Sequence, residues 1–194
     1  MKGIVFNLLE EVVTIHHGAD TWDSLLESAG VQGAYTCLGS YSDDEMAKLV
    51  GAASQMLEIP AADVLCWFGR ESMAVLADKY PKFFQAHKST RPFLLTLNDI
   101  IHPEVRKLYP GAEVPVFDFD SSSDAFLLMG YRSPRKLCAL AHGFIEGAAG
   151  YYREKVSFEQ MSCMLKGHDK CLFKIVFSAR EAAQCQDLQS TVSI

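Results

Sequence analysis

At 194 residues the chain is long enough for one ordinary domain, or for two small subdomains sharing a core. Hydrophobic residues make up 49% and charged residues 22%, which predicts a globular chain and excludes a disordered one. The formal charge is −6 with no basic stripe, which argues against a nucleic-acid partner. The opening MKGIVFNLLEEVV carries Glu10 and Glu11 inside its apolar stretch, so it reads as an amphipathic helix and not as a leader, and no run approaches a membrane span. Six scattered cysteines (37, 66, 138, 163, 171 and 185) in a chain of this size read as thiols or metal ligands in a reducing cytoplasm.

In chain order, the first helix is expected over 2–17, from apolar residues at Ile4, Val5, Leu8, Leu9, Val12, Val13 and Ile15, with Gly18 stopping it. A short helix follows from about Thr21 to Ala29. Ser42 and Glu45 have capping-box spacing and open a helix to about Glu58. Pro60 suits the first position of the next helix, which ends near Tyr80-Pro81. Helical stretches over roughly 82–89 and 91–101 lead to His102-Pro103, and a last turn or two ends at Pro110-Gly111. The composition then shifts. EVPVFDFD and DAFLLMGYR flank Ser121–Asp124 as a hairpin, Ser133-Pro134 cap a long helix to about Glu154, and VSFEQMSCML and CLFKIVF form a second hairpin. The fold class is α+β: a helical half over 1–111, an αβ half over 112–178 with a four-stranded antiparallel sheet and one long helix, and a polar, frayed tail over 179–194.

Two constellations carry chemistry. His102 precedes a proline, which disfavours helical backbone angles, so it should lie at a break between two apolar stretches. A neutral imidazole hemmed in by Leu97, Ile100, Ile101 and Val105 could ligate a buried metal, although taken alone the residue reads first as a helix-end histidine bonded to a carbonyl. Tyr131, Ser133 and Arg135 alternate along an extended segment, so a phenol, a hydroxyl and a guanidinium fork can converge on one spot as a donor set for carboxylates. The same residues also read as a strand aromatic, an N-cap and a surface arginine.

Taken together, MKGIVFNLLEE, the histidine in NDIIHPEVRKLYPG, the proline in AEVPVF and Tyr131-x-Ser133-x-Arg135 resemble the H-NOX (haem-nitric oxide/oxygen binding) family, over about residues 1–177. The resemblance implies a haem b cofactor with His102 as axial ligand to iron. It implies Tyr131, Ser133 and Arg135 on the propionates and Pro115 pressing on the macrocycle. The residue five beyond Arg135, a tyrosine in some relatives that hold O₂, is Leu140 here. With Phe144 one turn on, and Val5, Leu9 and Met73 completing the wall, the distal pocket offers no donor to polarised O₂, which points to nitric oxide, and also CO, as the gases bound.

In some bacterial relatives a structural zinc is held by three cysteines and a histidine. Cys138, Cys163 and Cys171 match these cysteines, but Gln160 stands where that histidine would be, leaving His168 as a substitute fourth ligand. His16, His17, His87 and His142 match no ligand pattern. The resemblance therefore implies a sensor without catalysis, in which NO binding weakens the iron–histidine bond and shifts the helix that bears His102. The partner would be a histidine kinase or a cyclic-di-GMP enzyme. Two other readings stand beside it: a zinc- or thiol-based redox sensor working through Cys138, Cys163 and Cys171, and a haem enzyme or carrier. Against the enzyme, no acid–base pair can be placed in the pocket.

Overall fold

Glycine and proline punctuate the helical half as expected. In a computed structural model, which describes residues 1–179, helices α1 (Gly3–His17) and α2 (Ala19–Ala29) end at Gly18 and Gly30, both at positive φ. Helix α3 (Asp43–Leu57) starts at Ser42, whose hydroxyl accepts the Asp44 N–H at 3.1 Å. The expected capping box is only half formed. The Glu45 carboxylate accepts the Tyr35 hydroxyl at 2.8 Å instead of turning back to Ser42, which spends it on packing the preceding loop. Pro60 stands one position before α4 (Ala61–Lys79), followed by α5 (Pro81–Gln85) and α6 (Thr90–Leu95), each shorter than the pattern suggested.

The expected break at His102 does not occur. A π-helical turn, Leu97–Ile101, runs straight into α7 (His102–Leu108), and His102 itself has helical angles, φ −66° and ψ −36°. Pro103 falls in the first turn of α7, where a missing N–H is tolerated, and this outweighs the local bias against helix before proline.

The second half is β1 (Val116–Asp120), β2 (Leu127–Arg132), α8 (Cys138–Tyr151), β3 (Glu154–Ser162) and β4 (Cys171–Ala179), with the strands paired antiparallel in the order β1-β2-β4-β3. The register stacks Phe117 opposite Tyr131 and Tyr131 opposite Cys171, then Met129 opposite Phe173 and Leu127 opposite Ile175. Period-2 alternation thus puts one apolar set on one buried face. Helix α8 begins five residues later than Ser133. The Ser133 hydroxyl caps the Arg135 N–H within a turn, and Lys136 then adopts φ +50°, which no helix continues. The expected tail lies, from residue 180 onward, outside the described residues.

Two apolar cores flank α4 and α8. One gathers Phe6, Leu9, Val12, Trp22, Leu49 and Phe68, and the other Phe84, Phe93, Leu127, Met129, Phe173 and Ile175. The helices meet backbone to backbone: a Cβ on Gly143 would stand 1.9 Å from the Cys66 carbonyl oxygen, and one on Gly69 2.4 Å from that of Leu140. Gly143→Ala is expected to force the helices apart and cost about 1–3 kcal/mol, a fall in melting temperature of roughly 2–12 °C. Gly51→Ala, in α3 with nothing within 4 Å of its Cβ, should raise stability by about 0.4–1 kcal/mol. Thermal melts of the two variants check both signs.

Candidate functional site

A cavity of about 580 Å³ lies between the two halves. Its walls are Ile4, Val5 and Leu8 from α1, Met73 and Leu76 from α4, Phe83 and Phe84 from α5, Leu97, Ile101 and Val105 from the π-turn and α7, Phe117 and Met129 from the sheet, and Leu140, Phe144 and Ile145 from α8. Helical spacing explains the pairs, because residues three or four apart on one helix share a face.

Polar groups gather at the rim, and Tyr80 and Tyr109, whose hydroxyls lie 2.6 Å apart, also border the cavity. Tyr131 and Ser133, 3% and 7% exposed, and Arg135 border the cavity beside Lys2, Ser40 and Glu113. Burial raises the Tyr131 phenol above the usual tyrosine value, against opposing hydrogen bonds from Ser133 and Leu137. The Arg135 fork grips carboxylates: Nε donates to Asp43 Oδ1 at 2.8 Å, and Nη2 to Glu113 Oε2 at 3.0 Å. Nη1 donates to the Glu113 carbonyl at 3.1 Å. The Met1 amino group also pairs with Asp43, at 2.8 Å.

His102 stands just behind the wall. It does not line the cavity, although Ile101, Val105, Pro115 and Phe117 around it do. Its ring stacks on that of Phe117, centroids 5.6 Å apart and planes at 28°. Burial, and then the nearby Arg106 charge, lower its pKa to about 4 against a hydrogen bond with the Pro115 backbone, so the imidazole is neutral at physiological pH. Of the residues expected on the opposite wall, Val5, Met73, Leu140 and Phe144 face the cavity. Leu9 points instead into the N-terminal core and its neighbour Leu8 takes the place. The sequence reading missed Ile4, Leu76, Phe83 and Phe84. The run Tyr80-Pro81-Lys82-Phe83-Phe84, aromatic at a helix boundary, was the available signal.

The family model for haem-NO-binding domains matches residues 2–160. The chain belongs to this family. Its fold is that of a Shewanella oneidensis H-NOX protein solved by crystallography in the Fe(II)NO state, 30% identical over 92% of this chain and 99% of that one, with a TM-score of 0.85. A Shewanella oneidensis H-NOX domain solved by NMR in the Fe(II)CO state is 31% identical over 92% and 99%, at 0.83. The unliganded Fe(II) H-NOX protein of K. algicida is 25% identical over 95% and 100%, at 0.79. H-NOX domains are haem-based gas sensors. Among the described residues no single helix is long and apolar enough to cross a membrane.

Away from the cavity rim, the sulfurs of buried Cys138, Cys163 and Cys171 lie within 4.8 Å of one another. Burial and the two neighbouring cysteines push Cys138 up to about 12. For Cys163 burial acts the same way, but donors including the Leu165 and Lys166 backbone outweigh it and lower the thiol. His168 turns its Nδ1 to the Cys163 carbonyl oxygen, 3.1 Å away, and Gln160 is exposed on β3.

Burial alone would raise the Asp43 pKa, but hydrogen bonds from Arg135 and the amino terminus lower it below its ordinary 3.8. A carboxylate depressed on folding contributes stability above its unfolded value and loses it as pH falls through the folded one. Asp43→Asn should therefore cost about 0.5–1 kcal/mol at neutral pH, allowing for its solvent exposure, and much less near pH ~2. Denaturant melts at the two pH values check this, and a gap that does not narrow would dismiss the contact.

Proposed function

We propose that this H-NOX domain is a cytoplasmic sensor that binds nitric oxide at a ferrous haem b, with His102 as the axial ligand, and signals to a separate histidine kinase or cyclic-di-GMP enzyme. The observation that carries the reading is the cavity's division of labour. Apolar walls suit a macrocycle, a rim of phenol, hydroxyl and guanidinium suits its carboxylates, and the imidazole adjoining the wall is held neutral, as a metal ligand must be. Arg135 already grips two carboxylates here, the chemistry a propionate presents. The donor set therefore fits a haem. Bound, it would supply an iron centre with one open face for a gas; the chain's part is to hold the propionates through Tyr131, Ser133 and Arg135, to place Pro115 against the ring and to keep water off the apolar wall. The scattered cysteines favour a reducing compartment. The three-sulfur cluster supports a structural zinc on Cys138, Cys163 and Cys171, with His168, whose ring lies against the Cys163 backbone, as the fourth ligand.

His102→Gly should keep the fold and lose haem, and added imidazole should restore it. Full haem retention with an unchanged ferrous spectrum would place another residue on the iron. Metal analysis of the same preparations, purified reduced and without chelator, decides the zinc.

Selectivity follows from the wall. Val5, Met73, Leu140 and Phe144 carry no hydrogen-bond donor, so the ferrous protein should respond to NO and CO but show no reversible O₂-dependent shift of its Soret band. Leu140→Tyr adds a phenol, and one charge-assisted bond of about 1.5–3 kcal/mol would raise O₂ affinity roughly 10- to 150-fold. A reversible shift with O₂ in the unmodified protein would remove the NO-selective reading.

A further inference from the structure

Three side chains that the cavity does not use meet on another face of α8. Cys66 of α4, with His142 and Glu146 one turn apart on α8, each bring a ligand atom within 4.8 Å of the other two. His142 Nε2 stands 3.2 Å from Glu146 Oε1, and Cys66 Sγ donates to Glu146 Oε2 at 3.7 Å. A tetrahedral ion with about 2.0–2.1 Å to nitrogen and oxygen and ~2.3 Å to sulfur spaces its ligand atoms roughly 3.3–3.6 Å apart. His142 and Cys66 each stand close to that spacing from a different oxygen of the Glu146 carboxylate, and one ligand atom from each of the three lies within 4.8 Å of the others, so a small turn of the carboxylate closes the set.

We propose that Cys66, His142 and Glu146 form a second metal site, for a zinc-class divalent cation, with three protein ligands and a fourth position open to water. Thiolate, imidazole and carboxylate together select a borderline-soft ion against magnesium or calcium. Their placement is fixed by packing. The i, i+4 spacing puts His142 and Glu146 on one face, and the contact of Gly143 with the Cys66 carbonyl sets the register that brings the thiol beside them. The His142 ring is further held against Phe158, centroids 4.0 Å apart. All three ligands are half-buried, so an ion can reach them from solvent. Arg70 Nη1, 3.4 Å from Glu146 Oε2, is the competing cation on the same carboxylate. Binding releases the Cys66 proton to solvent and ties α4 to α8 across their seam.

The site shares no residue with the Cys138, Cys163 and Cys171 cluster, so both can be counted in one protein. Zn²⁺ binding to the haem-loaded full chain, followed by equilibrium dialysis with metal analysis, should lose one class of site in Cys66→Ser, His142→Asn and Glu146→Gln. Each variant should weaken that class by more than the roughly 10- to 100-fold that follows loss of a ligand's supporting partner alone. The Zn²⁺-dependent rise in melting temperature should shrink in the same variants. Arg70→Gln should tighten the site, and an Arg70→Gln protein that binds no better would put the ion off the Glu146 carboxylate and overturn the ligand set. Unchanged Zn²⁺ stoichiometry and affinity in the ligand variants would overturn the site itself. Should Cys66→Ser fail to fold, Glu146→Gln carries the same decision from a side chain that is 30% exposed.

Discussion

The backbone contact between α4 and α8 is the constraint that organises this molecule. Gly69, Gly143 and Gly147 let the two helices approach until a Cβ at any of them would overlap a carbonyl oxygen of the other helix. That approach sets Met73 and Leu76 beside Leu140 and Phe144, so two helices distant in sequence present a single apolar wall. It also divides the interior. Leu140 belongs to the N-terminal core, whereas Ala141 and Ile145 on the same helix belong to the other. A helix shared by two cores cannot move relative to one without disturbing the other, because close-packed interiors tolerate few intermediate arrangements.

Charge does its work at one edge of that arrangement. Arg135 reaches Asp43 at the start of α3 and Glu113 in the segment before β1, and Asp43 also holds the Met1 amino group. One guanidinium therefore joins three segments at the cavity rim. Its fork is well matched to carboxylates, and it is largely shielded, with 16% of the side chain exposed, so its contacts are screened less than those of a surface arginine.

Much of this was legible in the chain, and the failures have local causes. Gly18, Gly30 and Pro60 marked helix ends because backbone conformation there depends on the residue itself. The apolar and aromatic runs VFDFD and LLMGYR marked the first two strands, whereas their shared buried face follows from the register that pairs them. The start of α8 was misread because Ser133 has the chemistry of an N-cap but spends its hydroxyl on a turn two residues long. Leu9 reads as a wall residue because an apolar stripe at helical spacing does not say which of its members borders a cavity. Leu8 and Leu9 belong to the same core, and only Leu8 also lines the cavity. The grouping of Cys66 with His142 and Glu146 left no trace in the sequence, since 80 positions separate Cys66 from Glu146 and only helix packing unites them.

The π-turn before His102 has a physical role that sequence periodicity conceals. Asn98, within it, donates from Nδ2 to the Phe117 carbonyl oxygen at 2.6 Å and accepts the Phe117 N–H through Oδ1 at 3.3 Å. The side chain thus replaces a strand neighbour for Phe117, and Phe117 in turn stacks on the His102 ring. Turns of this kind interrupt the regular helical ladder and are common where a helix must aim a functional side chain. Here the wider turn and the helix that follows it are fastened to β1 at both ends, by two hydrogen bonds from Asn98 and by one ring face from His102. A force applied at the imidazole would therefore reach the first strand of the sheet directly, through Phe117.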